Sequence, residues 1–382
     1  RMNNIVLLAI PLFILSGAIM NRGKLAEPLV DLASLFLGRV RGGLSAAAVI
    51  ASAVFGSISG SAAATLTCIG GVMLPRLDRA NYPRGFSAAL IANAAPLVLL
   101  IPPSSTMIIY AWVTRQSVLK CFLATVVPGL ILVTLLCIVN FIMMRRYKDI
   151  ITEEVPESFL LETRKRTALA TPALLMPVII LGGIYGGVMT PTEAAAIAVL
   201  YAVPVGVWIY RGLTWDSFKE AVIESATTTS SVMVMFFMVM IVSRLLVFED
   251  IPALAQDFIF SLSDNPIVIL LMINVVLVLI GMLMDDVSGV LLASPLMLPM
   301  VKDLGIDPIQ FAAIIGVNLG MGNITPPTAP LLYLGARVGQ TSVHSMLKPT
   351  LIMILFAWIP TLILTTYIPA ISLALPDFML GG

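Results

Sequence analysis

The chain has 382 residues, of which 59% are hydrophobic and 11% charged, where a soluble domain carries about 25% charged residues. That balance excludes a soluble globular fold and leaves an all-α polytopic membrane protein. The formal net charge of +1 offers no bulk attraction for nucleic acid or acidic partners.

Ile5 to Met20 reads as the first span, and Lys24 to Arg41 as a helix lying along the interface. Leu44 to Gly56 and Ala62 to Pro75 are apolar arms of about 13 residues, roughly 20 Å each against roughly 30 Å of hydrocarbon. Between them lies Phe55-Gly56-Ser57-Ile58-Ser59-Gly60-Ser61, rich in hydroxyls and glycine. The expectation is a re-entrant hairpin over 44–75, since irregular backbone at membrane depth survives only inside protein or beside a cavity. Gly85 to Thr114 reads as one span broken at Pro102-Pro103-Ser104-Ser105, because two prolines end a helical ladder. A plain span follows at Leu119 to Met144, then a charged loop from Arg145 to Arg166. Ala168 to Val188 and Pro191 to Tyr210 are further spans. Leu213 to Glu224 is read as interfacial, Thr227 to Phe248 as a span, and Ile251 to Leu262 as a second interfacial piece. Pro266 to Met300 repeats the hairpin, with its tip at Leu283-Met284-Asp285-Asp286-Val287-Ser288-Gly289. Pro308 to Ala336 repeats the broken span, interrupted from Asn318 to Thr328. Ser345 to Pro369 closes the set.

The two broken stretches align at a shift of 224 residues. Met73-Leu74-Pro75 falls on Met297-Leu298-Pro299, Ala88, Ala89 and Ile91 on Ala312, Ala313 and Ile315, Pro102-Pro103 on Pro326-Pro327, and Gln116 on Gln340. Five crossings separate the first span from its counterpart at Thr227, and an odd count makes the repeats inverted. On this topology 17 of the 22 Lys and Arg share one face, which the positive-inside rule makes cytoplasmic. Arg1, Arg115, Lys120, Arg244 and Lys302 fall on the other. The expected division is a scaffold arm over 1–43, a first transport repeat over 44–118, scaffold over 119–262, a second repeat over 263–341, and a last scaffold helix with the C-terminus over 342–382.

Inverted hairpins beside broken spans bring four helix ends to the midplane. Half-helix N-termini suit an anion; unwound carbonyls and C-termini suit Na⁺. Ser57, Ser59, Gly60 and Ser61 with Ser104 are expected to serve one cation. Asp285, Asp286, Ser288 and Gly289 with Gly322, Asn323 and Thr325 are expected to serve the other. A carboxylate at membrane depth is costly and by default functional. Asn93 and Asn318 serve either the site or helix-packing hydrogen bonds. Arg244 reads as snorkelling from a span end, and Gly182, Gly183, Gly186 and Gly187 as close helix packing.

Other chemistries find little support. Gly56-Ser57-Ile58-Ser59-Gly60 has Ile58 where a nucleophile elbow needs serine. A phosphate loop is missing from the sequence, so ATP cannot be the drive within this chain. One histidine, His344, makes no transition-metal constellation, and Cys68, Cys121 and Cys137 read as buried thiols rather than a disulfide framework. A channel would call for charge or carbonyl rings from symmetric subunits. The chain opens at Arg1 without a signal-peptide pattern, which leaves room for a preceding helix or fused partner.

The runs Leu7-Leu8-Ala9-Ile10-Pro11-Leu12-Phe13-Ile14-Leu15-Ser16-Gly17, Arg41-Gly42-Gly43-Leu44, Phe55 to Ala62, Ile101-Pro102-Pro103-Ser104, Ile108-Ile109-Tyr110, Gly281-Met282-Leu283-Met284-Asp285, and Asn318-Leu319 with Thr325-Pro326-Pro327 together carry a resemblance. The chain resembles the large membrane subunit of tripartite ATP-independent periplasmic (TRAP) transporters, nearly end to end. The resemblance implies an ion-transporter fold of elevator type in the bacterial inner membrane. It also implies uptake of an organic acid driven by at least two Na⁺ ions. Implied partners are a small four-helix membrane subunit, as a separate chain or as a missing N-terminal part, and a periplasmic substrate-binding protein. It assigns Na⁺ to the residues above and Asn93, and substrate to Ser61, Thr65, Pro103, Ser104, Asp285, Asn318, Pro326 and Thr328. Thr65, Ala329 and Asp286 depart from the common pattern, all near the expected substrate cavity. A tip with hydroxyls and no neighbouring Lys or Arg points to a sialic acid first and a C4-dicarboxylate next.

Overall fold

A computed structural model describes residues 5–152 and 158–381, so Arg1 and residues 153–157 of the charged loop lie outside the described residues. The described residues are helical and contain no strand. A 3-10 turn at Ile5–Leu8 leads into α1 (Ala9–Arg22), which is followed by α2 (Ala26–Leu37). The first hairpin is α3 (Gly43–Ser59) and α4 (Ala62–Arg79). The first broken helix is α5 (Arg84–Ala94), extended by a 3-10 segment Ala95–Leu99, and α6 (Ser105–Thr114). Then come α7 (Val118–Met144), α8 (Phe159–Tyr185), α9 (Pro191–Pro204, prolonged by a π turn), α10 (Trp215–Phe248) and α11 (Ile251–Leu262). The second hairpin is α12 (Pro266–Leu283) and α13 (Asp286–Asp303), and the second broken helix is α14 (Pro308–Gly322) and α15 (Pro330–Val338). The chain closes with α16 (Val343–Met353), a π turn, α17 (Ile359–Tyr367) and α18 (Pro369–Leu380).

The repeat is visible in the helix starts. Ala62 opens α4 and Asp286 opens α13, 224 residues later; Arg84 opens α5 and Pro308 opens α14, again 224 later. Pro75 and Pro299 stand at the same place inside α4 and α13. Packing is reciprocal: α4 lies against α15, and α13 lies against α6. Such an exchange is what a two-fold relation between repeats produces. Helices α5 and α14 run through the centre, with α14 buried from Ile309 to Gly322. Around the other side α1 packs on α9 and α10, and α8 on α2 and α9. Helix α7, expected with the scaffold, packs against α3, α6, α14, α17 and α18.

Among the described residues, six helices are long and apolar enough to cross a membrane: Val118–Met144, Phe159–Tyr185, Pro191–Ile209, Trp215–Leu246, Pro266–Leu283 and Val343–Tyr367. Several boundaries differ from the sequence reading. The arms of the first hairpin are 17 and 18 residues, about 25 Å each rather than roughly 20 Å. Ser57 keeps α3 helical by returning its hydroxyl to the Val54 carbonyl at 2.7 Å, and Pro75 is absorbed inside α4. Leu213 to Glu224 is no separate interfacial piece beyond its first two residues, because α10 runs unbroken through it. Arg22 of α1 pairs with both Glu220 and Glu224, one turn apart on α10, so those charges need no break in the helix. The second half of the charged loop is the first two turns of α8, where Arg166 bonds Glu162 at 2.8 Å and the Asp31 carbonyl at 3.1 Å. The four glycines near 182–187 mark the end of α8 and its turn, with Gly187 at φ +68, and not a close helix crossing. The last span is followed by a helix the sequence reading did not include, α18, which packs on α7. Cys68, Cys121 and Cys137 are free thiols, the first two buried.

Candidate functional site

Both hairpin tips open into one cavity of about 540 Å³, within the usual 300–1,000 Å³ range for small-molecule sites. Its lining includes Ser59, Gly60 and Ser61 from the first tip, Asp285, Asp286 and Val287 from the second, and Asn323 at the end of α14. Four helices begin at its wall: α4 at Ala62, α6 at Ser105, α13 at Asp286 and α15 at Pro330, each contributing its first residues to the lining. Two helices end there, α3 at Ser59-Gly60 and α14 at Asn323. The N-termini supply free N–H groups and partial positive charge; the C-termini supply carbonyl oxygens and partial negative charge.

The first tip is built by local hydrogen bonds. Gly60 adopts φ +64, a left-handed turn that glycine takes without strain. Its N–H donates to the Gly56 carbonyl at 2.9 Å, and its own carbonyl accepts from the Ser105 hydroxyl at 2.9 Å. Ser61 caps α4 by accepting from the Ala64 N–H at 3.4 Å. Thr65 is fully buried beneath the tip: its hydroxyl donates to the Ser61 carbonyl at 2.9 Å and lies 2.9 Å from the Ser59 hydroxyl. Expected as a substrate contact, Thr65 is placed as a tie within the tip, outside the cavity lining. Ser59→Ala removes an oxygen from the lining and loosens that tie. With one Na⁺ proposed at this tip, the change is expected to raise the Na⁺ concentration for half-maximal thermal stabilisation roughly three- to tenfold, the loss of one hydrogen-bond-sized contact of about 1 kcal/mol. An unchanged half-point would move the first cation away from Ser59.

The second tip is more acidic. Asp285 caps α13, accepting from the Val287 N–H at 3.2 Å. Asp286, at the first position of the helix, accepts a short hydrogen bond from the Asn323 side-chain amide. The Asn323 side-chain oxygen is buried without a partner. A carboxylate and an unpaired amide oxygen, beside the carbonyl end of α14, form the all-oxygen set that hard cations prefer.

Other expected residues are held elsewhere. Asn93 bonds the Ala89 carbonyl at 2.8 Å and Thr350 at 3.4 Å. Asn318 bonds Asn274 at 2.8 Å, and Asn274 in turn bonds Thr366 at 3.2 Å. Both asparagines join core helices through their amide nitrogens, while their side-chain oxygens are buried without a partner. Ser57 back-bonds within α3. Ser104 is buried as the residue before α6, and Pro103 is buried beside it. The Pro102-Pro103 and Pro326-Pro327 peptides are both cis. Ser288 is buried, Gly289 packs on Leu319, and Gly322 packs on Gly281. Thr325 bonds the Met321 carbonyl at 2.6 Å, and Thr328 ties its loop to the Met282 carbonyl.

The other wall was not legible in the sequence. It comes from α1 through Ile14, Gly17, Ala18 and Asn21, and from α10 through Glu224, Ser225, Thr228 and Val232. Ser105, Thr106 and Thr67 add hydroxyls. Among the described residues, no Lys or Arg lines the cavity; Arg22 is joined to it through Glu224, at 2.9 Å.

Paired hairpins, paired broken helices and one shared cavity between them define a secondary transporter of the membrane. Residues 1–371 match the family described as tripartite ATP-independent periplasmic transporter, DctM component. The chain belongs to that family, as its large membrane subunit. It is 39% identical over 375 residues to the C4-dicarboxylate TRAP transporter large permease protein DctM of Pseudomonas aeruginosa, covering 98% of this chain and 86% of that protein. It is 33% identical over 379 residues to the sialic acid TRAP transporter large permease protein SiaM of Vibrio cholerae, covering 99% and 88%. The crystal structure of the Alcanivorax borkumensis YdaH transporter shares the fold at a TM-score of 0.65 and 17% identity, over 95% of this chain and 84% of that one. Membership makes this a multi-pass protein of the bacterial inner membrane, working with a small membrane subunit and a substrate-binding protein.

Proposed function

We propose that the chain carries an organic acid anion inward by Na⁺ symport, with the two hairpins and broken helices moving as an elevator against α1 and α10. One observation carries the reading: four helix N-termini and two C-termini converge on a single cavity. Each N-terminus is worth about half a positive charge, so four of them can receive a carboxylate without a basic side chain. The lining also holds Glu224, Asp285 and Asp286. Unscreened by cations, those carboxylates repel an anion, so loading Na⁺ at the two C-termini prepares the cavity for its cargo. Two Na⁺ with one monoanion move net positive charge inward, each charge gaining about 2.3 kcal/mol per 100 mV.

The lining is rich in hydroxyls, from Ser59, Ser61, Thr67, Ser105, Thr106, Ser225 and Thr228. That chemistry suits a polyhydroxylated monocarboxylate, and sialic acid is the first candidate. A C4-dicarboxylate is the second, and the name of the Pseudomonas relative speaks for it. The small subunit is proposed to have four helices. The test is reconstitution with both partners and uptake of labelled acids. Uptake indifferent to the Na⁺ gradient would sink symport, and stabilisation by succinate but not by sialic acid would reverse the order of candidates.

Arg22 has a measurable part in this scheme. Its side chain and those of Glu220 and Glu224 are all partly exposed, and such pairs stabilise by about 1 kcal/mol or less. Arg22→Gln is therefore expected to leave thermal stability nearly unchanged. It uncovers two carboxylates beside the cavity, so it should raise the apparent KM for the anion, with the effect fading as ionic strength rises. A salt-independent KM would show that the pair does not face the cargo.

A further inference from the structure

Helix α1 touches helices on both sides of the cavity. It packs on α9 and α10, and also on α3, α4 and α6. Its cavity face is Ile14, Gly17, Ala18 and Asn21, the spacing of one helical stripe. Gly17 sits within that stripe, directly on the first hairpin tip. A β-carbon built on Gly17 would lie 2.6 Å from the Ser59 carbonyl oxygen, 2.9 Å from its Cα and 3.1 Å from its carbonyl carbon. All three are backbone atoms, so no side-chain rotation makes room. Glycine weakens a helix interior relative to alanine, so helix formation does not ask for it here; the close approach does.

We propose that Gly17 is a positioning residue: the seat on which the first hairpin tip rests against the static wall in this conformation. The inference rests on the alternating-access reading above and adds the contact that sets its resting point. A glycine-to-backbone contact involves no side-chain bond between the two elements, so the tip can leave and return without breaking one. A methyl group on Gly17 penalises only the state in which Ser59 is seated. It costs nothing once the tip has moved away, and the population shifts toward the unseated state.

The test uses the complete assembly in vesicles, with Cys68, Cys121 and Cys137 replaced by alanine and Ala63→Cys as reporter on the cavity wall. A membrane-impermeant maleimide is applied from either face, with and without NaCl. With Gly17 intact, labelling is expected mainly from the face that carries Arg22. Gly17→Ala should shift the two-sided labelling ratio several-fold toward the opposite face, and Gly17→Val by about tenfold or more. Maximal uptake should fall in the same order. The Na⁺ half-point for thermal stabilisation should move less than about twofold, which separates positioning from ligation. Unchanged labelling in both variants overturns the seat. Loss of assembled protein in both assigns Gly17 to folding and also overturns it. A reporter that labels from one face alone under every condition, with Gly17 intact, instead overturns the transport reading on which the seat rests.

Discussion

Asp286→Ala is expected to raise the Na⁺ concentration for half-maximal stabilisation by roughly 30-fold or more, and to abolish gradient-driven uptake at ordinary Na⁺ levels. The size follows from the loss of one charged oxygen from the proposed cation site, about 2–3 kcal/mol in a partly dehydrated setting. Asp286 is positioned for this at the first residue of α13 and is fixed by the amide nitrogen of Asn323, a second lining residue whose side-chain oxygen is buried without a partner. Asn323→Ala should act in the same direction but by about tenfold, since it removes a neutral ligand and an orienting bond. Asp285→Ala is the control. Its carboxylate caps the Val287 N–H, so its loss should cost about 1 kcal/mol of stability and move the Na⁺ half-point far less. Thermal melts across a NaCl series, with choline chloride holding ionic strength, measure all three. Equal effects of Asp285→Ala and Asp286→Ala would show that the cation reads the pair's summed charge, and not the geometry at Asp286.

The hairpins and broken helices were legible because they violate their surroundings. Serines, aspartates and paired prolines inside apolar sequence have few structural uses at membrane depth. The shift of 224 residues was legible in nine identities between positions 73 and 116 and proved to govern the helix starts. The arm lengths were not, because a proline inside a helix and a serine bonded to its own helix look in sequence like the end of one. The scaffold half of the cavity was hidden for another reason. Ile14, Gly17 and Ala18 satisfy any apolar helix, and only the docking of α1 against Ser59 gives them a cavity to line. Asn93 and Asn318 show the converse: polar residues in core helices whose partners, Thr350 and Asn274, lie 257 and 44 residues away. Nothing local to either asparagine distinguishes a stitch from a site.

Gly322→Val is expected to lower stability by about 2–4 kcal/mol and to remove the response at the second cation site while sparing the first. A β-carbon on Gly322 would lie 2.6 Å from the Gly281 carbonyl carbon and 2.7 Å from the Val278 carbonyl oxygen. One on Gly281 would lie 2.9 Å from the Leu319 Cα. Helices α12 and α14 thus meet backbone to backbone, and overpacking such a crossing forces the helices apart. The crossing ends one residue before Asn323 and shortly before the tip that bears Asp286, so the same displacement separates the two groups proposed to hold the second cation. The Asn318–Asn274 bond, one turn back along α14, holds the register but not the spacing. Gly322→Ala should therefore produce the same pattern in smaller measure. The decisive reading is the Na⁺ titration of the variant's melting temperature. If the second site is lost, the remaining half-point belongs to the site proposed at Ser59 and Gly60, and adding Ser59→Ala should raise it by roughly three- to tenfold. A variant melting like the native protein, with a native Na⁺ titration, would show that the pairing of Asp286 with Asn323 is set by the tip itself and owes nothing to the helix crossing beneath it.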